Sequence, residues 1–125
     1  MAVIDPITAG LVARLATIAG TIGSTVLNNR KGQVEKDREV FYKRAKKYHA
    51  RLREMLEKSE KSPRRLADDL ARDDLFSFVA GNDNTEELFR ALRFAEGARR
   101  RDRAAVLRAV LRVLERVTVT SLQKD

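Results

Sequence analysis

Cysteine is absent from this 125-residue chain, and histidine occurs once, at His49. Without cysteine there is no disulfide framework, no thiolate metal site and no cysteine nucleophile. One histidine alone also cannot complete the usual zinc ligand sets, so neither a metal nor a cofactor is expected. No pair of alternating apolar and polar runs suggests paired strands, which leaves an all-α fold. A signal peptide is missing too: Met1 to Asp5 carries an acid where a secretory leader needs cations. The expected location is therefore intracellular or within an assembled particle. Gly10, Gly20 and Gly23 sit inside an apolar helical pattern rather than behind a strand, so they imply no phosphate loop.

What the chain has in excess is positive charge. Lysine and arginine total 26 against 18 acids, a net charge of +8. Such a balance draws a protein to polyanions, meaning nucleic acid or an anionic membrane surface. The length suits one domain with a modest core. The expected organisation is an apolar assembly helix over 1–32, a long basic helix over 33–61 and a bundle of short helices over 62–125.

The apolar stretch runs from Asp5 to Asn29. Asp5 can accept the free N–H groups of a first turn, and Pro6 suits the first helical position. Ile4, Ile7, Leu11, Leu15, Ile18, Ile22 and Val26 recur at three- and four-residue steps along one face. Ala9, Ala13, Ala16, Gly20 and Ser24 form a second, small-residue face. Arg14, Thr17 and Thr21 make a narrow polar seam between them. A surface helix of a monomer needs one apolar and one wet face. Two packable faces predict a homo-oligomer or larger assembly, with Leu11, Leu15, Ile18 and Ile22 joining the small residues as contact candidates. As a lone membrane span the stretch is marginal. Its eight large aliphatics favour insertion by about 2.4–4.8 kcal/mol, while a central Arg14 costs about 2.5–3.5 kcal/mol.

A break at Asn28 to Gly32 precedes a helix from Gln33 to Lys61. Val34, Phe41, Ala45, Tyr48, Leu52 and Met55 form its narrow seam, expected to pack on the aliphatic face of the first helix as a hairpin or bent rod. Lys43, Arg44, Lys46, Lys47, Arg51 and Arg53 form a band without an intervening acid. It is read either as an anion-binding surface or as the solvated face of a long helix. Ser62-Pro63 restarts the chain into a short helix ending at Arg72. Asp73 or Asp74 caps the next, which stops at Gly81. Asn84 and Glu87 have capping-box spacing and open a helix over Thr85 to Glu96. After Gly97, a last helix buries Val106, Leu107, Val110, Leu111, Val113, Leu114 and Val117. Arg108, Arg112 and Arg116 line its other side, with Glu115 as its only acid, and the β-branched end from Thr118 to Leu122 is read as frayed or extended. That arginine row is a second anion-binding candidate, unless Asp68, Asp69, Asp73 or Asp74 pairs with it.

Arg44-Ala45-Lys46-Lys47-Tyr48-His49 resembles the R-x4-H motif of the HEPN ribonucleases, which are small all-α proteins. The resemblance spans six residues, and Ala45 departs from the polar residue usual after the arginine. It implies a remote reading in which Arg44 and His49 of two protomers converge on an RNA backbone. In layout, the small-residue apolar helix followed by a charged one also resembles virion-internal and membrane-penetrating phage subunits. The main expectation is a non-catalytic oligomeric structural or interaction protein whose basic helices meet an anionic partner, nucleic acid ahead of membrane.

Overall fold

The computed structural model describes residues 4–58 and 62–123, and the expected last turn of the long helix at 59–61 lies outside them. Six helices are formed, and the described residues contain no strand: α1 (Pro6–Arg30), α2 (Glu35–Lys58), α3 (Pro63–Arg72), α4 (Asp74–Ala80), α5 (Asn82–Gly97) and α6 (Arg100–Ser121). The starts follow local chemistry. Asp5 accepts from the N–H of Ile7 ahead of Pro6, and Ser62 accepts from the N–H of Arg64 ahead of Pro63. Of the two acids considered for α4, Asp73 is the cap, accepting from the N–H of Phe76.

The centre of the molecule is α6. It buries Val106, Leu107, Ala109, Val110, Val113, Leu114, Val117 and Thr120, and packs against α1, α2 and α5. Burying each of these valines and leucines contributes about 1.5–3 kcal/mol, so this one face outweighs any other element's. The helices α1 and α6 run parallel. At one end the Asp5 N–H reaches Asp102 Oδ1 at 3.4 Å. At the other, Arg30 donates to the carbonyls of Thr120 (3.3 Å) and Ser121 (3.0 Å), and also to that of Gln123. The opposite flank of α6 takes α2 running antiparallel, with Met55 and Leu56 beside Arg103 and Leu107.

Four expectations are corrected. The seam of α2 is buried from Phe41 to Met55, but on α6 and α4; α1 and α2 scarcely touch, and Val34 is exposed. The segment from Thr118 to Ser121 is helical. Thr118 and Ser121 return their hydroxyls to the carbonyls of Leu114 and Val117, and Arg30 closes the helix end. The cationic cap offsets the negative helix terminus where β-branching alone would let it fray. The last helix also starts early enough to include Asp102, so Glu115 is not its only acid. Finally, α5 opens at Asn82 directly behind Gly81, whose φ of +98° suits glycine alone. Asn84 donates instead to the Ala80 carbonyl, ending α4, and Glu87 pairs with Arg14 at 3.3 Å.

Close approach of α1 to α6 depends on Gly23. A Cβ there would stand 3.1 Å from Thr120 Oγ1 and 3.8 Å from Arg116 Cδ, whereas one at Gly20 would meet nothing within 4 Å. Gly23→Leu should therefore destabilise the fold by about 1–3 kcal/mol through overpacking. Gly20→Leu should leave it unchanged or up to about 1 kcal/mol more stable, since leucine is the better helix former. Urea unfolding of the two variants beside the parent checks both signs.

Candidate anion-binding surface

The basic band of α2 does not act as one surface. Residues 44, 48, 51 and 55 share the flank that faces α3 and α4, at four- and three-residue steps. There Arg44 pairs with Asp73 at 2.6 Å and Arg51 with Asp69 at 2.7 Å. The Asp73 side chain is 4% exposed. Besides Arg44 and the Phe76 N–H, it accepts the Tyr48 hydroxyl. Phe76, buried completely, stacks on Phe41 and meets Tyr48 edge-on, with centroids 5.4 Å apart in each case. Burial, together with the hydrogen bond and negative charge of Asp73, raises the Tyr48 phenol well above its ordinary range. Arg44 and Arg51 are thus the clasp between α2 and the α3–α4 corner.

The rest of the band points elsewhere. Lys43 pairs with Glu39 at 3.0 Å on the surface. Lys46 lies 5.3 Å from the centroid of the Tyr42 ring. Lys47 and Arg53 are exposed and make no ion pair among the described residues. His49 is half-buried, about 140° around the helix from Arg44 at 100° per residue. Within one chain, Arg44 and His49 therefore lie on different faces of α2.

On α6, Arg108, Arg112 and Arg116 are exposed and make no ion pair or hydrogen bond among the described residues. Two of the four acids considered as their partners, Asp69 and Asp73, belong to the α2 clasp instead. On helical phase the row continues seven residues back to Arg101. On the neighbouring flank of α2, Tyr42, Lys46, His49, Arg53 and Leu56 recur at the same steps, and Leu56 and Arg108 line one cleft. The outer strip of α6 and this flank of α2 together form a basic face.

At the N-terminal end of the row lies a groove of about 1320 Å³ that the sequence did not single out. It is lined by the apolar Ile4, Pro6, Ile7 and Phe94, by Arg99, Arg100, Arg101 and Arg108, and by the acids Asp5 and Asp102. The only sequence signal was the arginine triplet. The apolar lining comes from the start of α1 and the end of α5, with Ile7 and Phe94 87 residues apart in the chain.

The candidate assembly residues divide by face. Leu15, Ile18 and Ile22 are buried and Leu11 is partly buried, all within the chain's own core. Ala9, Ala13, Ala16, Gly20 and Ser24 are exposed. Only 22% of the most apolar 18-residue window of α1 is buried, although the helix is long and apolar enough to cross a membrane. Among the described residues no cluster of acids and histidine has the arrangement of a metal site. The chain matches no known protein family, no curated protein and no solved structure.

The clasp predicts a pH dependence. A phenol held protonated stabilises the fold fully below its unfolded value of about 10, and that contribution is lost as the pH rises beyond it. As the pH rises above about 10, the parent should lose stability more steeply than Tyr48→Phe does. At neutral pH, Tyr48→Phe should cost about 1.5–3 kcal/mol, the value of a hydrogen bond to a charged group. Denaturant melts at stepped pH separate the two effects.

Proposed function

We propose that this is a non-catalytic structural or interaction protein that binds nucleic acid along the basic strip of α6 and self-associates through the exposed small-residue face of α1. The observation that carries the reading is the division of charge. Asp73 and Asp69 pair with Arg44 and Arg51 between α2 and the α3–α4 corner, while Arg108, Arg112 and Arg116 stand exposed and unpaired among the described residues. A fold that needed the row for its own stability would have paired it. Arginines at this spacing, each about 6 Å along the axis from the next, suit phosphates through bidentate contacts that position a backbone without reading bases.

Support for self-association is the openness of α1. Ala13, Ala16 and Gly20 let a second helix approach closely, and they are exposed among the described residues. A membrane reading rests on the length and apolarity of the same helix. Docking along α6 weighs against it as a span. Crossing a bilayer would strip Leu15, Ile18, Ile22 and Val26 from the core, or carry the arginine row into hydrocarbon at about 2.5–3.5 kcal/mol per charge.

Two measurements test the reading. Arg108→Glu with Arg112→Glu should weaken binding to nucleic acid and flatten its salt dependence, with the melting temperature within a few degrees of the parent's. If stability falls and the salt slope stays, the row serves the fold instead. For assembly, light scattering should find Gly20→Leu in a smaller species than the parent while its monomer remains fully folded. A parent that is monomeric at high concentration ends that half of the proposal.

A further inference from the structure

We infer that the nucleic acid this surface takes is single-stranded, with the backbone along the α6 row and one or more bases lodged in the groove at its end. The inference rests on the nucleic-acid reading above and deepens it.

Three observations meet at one place. The row is continuous: Arg116, Arg112, Arg108 and Arg101 lie along one side of α6 over about 22 Å, and Arg108 is both a member of the row and a wall of the groove. The groove is not simply cationic. Its lining includes Arg99, Arg100 and Arg101, unpaired among the described residues, the apolar Ile4, Ile7 and Phe94, and two acids, Asp5 and Asp102, which its four arginines outnumber. Third, these apolar groups are open rather than part of the core, with Ile7 at 72% and Phe94 at 36% exposed. Exposed aliphatic and aromatic side chains ringed by arginine have little to offer a duplex, whose bases are stacked inside and whose outside is phosphate and sugar. A single strand presents both things the site provides for: phosphates for arginine, and unstacked base faces for an aromatic ring and guanidinium planes. The groove is concave and at one end of the molecule, so a rigid duplex lying on the row would pass across its mouth without entering.

Phe94 is suited to the test because it lies outside the buried core and carries no charge. The probes are a fluorescent oligothymidylate and a duplex of the same length, each titrated at the same series of salt concentrations and compared at equal salt. The single strand should bind the parent at least about tenfold more tightly than the duplex. Phe94→Ala should weaken single-strand binding about tenfold, leave duplex binding unchanged and leave the salt slope of both unchanged, because no phosphate contact is removed. Phe94→Trp should restore the single-strand affinity. Equal or tighter duplex binding, or an equal loss for both probes in Phe94→Ala, overturns the single-strand assignment and leaves the α6 row as a duplex-binding or general polyanion surface. Binding of neither probe overturns both readings, and the groove then falls to an acidic protein partner.

Discussion

Everything else in the molecule is arranged by the need to bury α6. Its apolar face is too broad for one neighbour, so α1 and α2 lie along its two flanks and α5 covers its inner side. A helix enclosed from three directions has a single strip left to solvent. On α6 that strip carries Arg101, Arg108, Arg112 and Arg116. The position of the charge is thus set by the packing of its opposite face, and the arginines need no partner of their own to be held in line. The same enclosure explains Gly23: a flank helix that must follow α6 from end to end cannot hold a side chain where Thr120 and Arg116 pass.

The second constraint is how the acids are spent. With eight more cations than anions in the chain, each internal ion pair decides which cations stay available. Asp73 takes three donors at once and Asp69 one, and all of them come from α2 or from the start of α4. This corner is closed by charge-assisted bonds around a largely dry carboxylate, where a missing partner is costly. The exposed strip of α6 carries one acid, Glu115, against four arginines, because Asp69 and Asp73 are used elsewhere.

Much of the fold was legible because its signals are local. Asp5-Pro6, Ser62-Pro63 and Asp73 are caps whose partners lie two or three residues on, and Gly81 ends α4 by a backbone conformation that glycine alone accepts readily. The stripe of α2 showed which face is buried. It could not show against what, since an amphipathic pattern carries the need for a partner and not the partner's address. Where the reading failed, the deciding contact is distant in sequence. Arg30 holds the end of α6 from 90 residues away, overriding the low helix propensity of Thr118 to Thr120. Glu87 has capping-box spacing but answers Arg14, 73 residues back. The band on α2 failed as a unit for the same reason, because Arg44 and Arg51 meet acids 29 and 18 residues ahead. The groove was invisible because the start of α1 meets the α5–α6 junction there, about 90 residues further along the chain.

The two halves of the proposed function bear on each other through the closeness of α1 and α6. Gly23 of α1 lies against Arg116, so the open face of α1 and the arginine strip of α6 are neighbouring parts of one surface. Joining two copies through α1 brings two such strips nearer. Like charges brought within a Debye length of about 8–10 Å repel, and the repulsion opposes assembly until something neutralises it. A bound phosphate backbone does that, and a strand long enough to span both strips also raises the local concentration of the second copy. By linkage, whatever binding contributes to assembly, assembly returns to binding. On the proposed reading, a bound polyanion therefore strengthens an association that the open face of α1 already supports. That behaviour follows from where the packing of α6 leaves its charge.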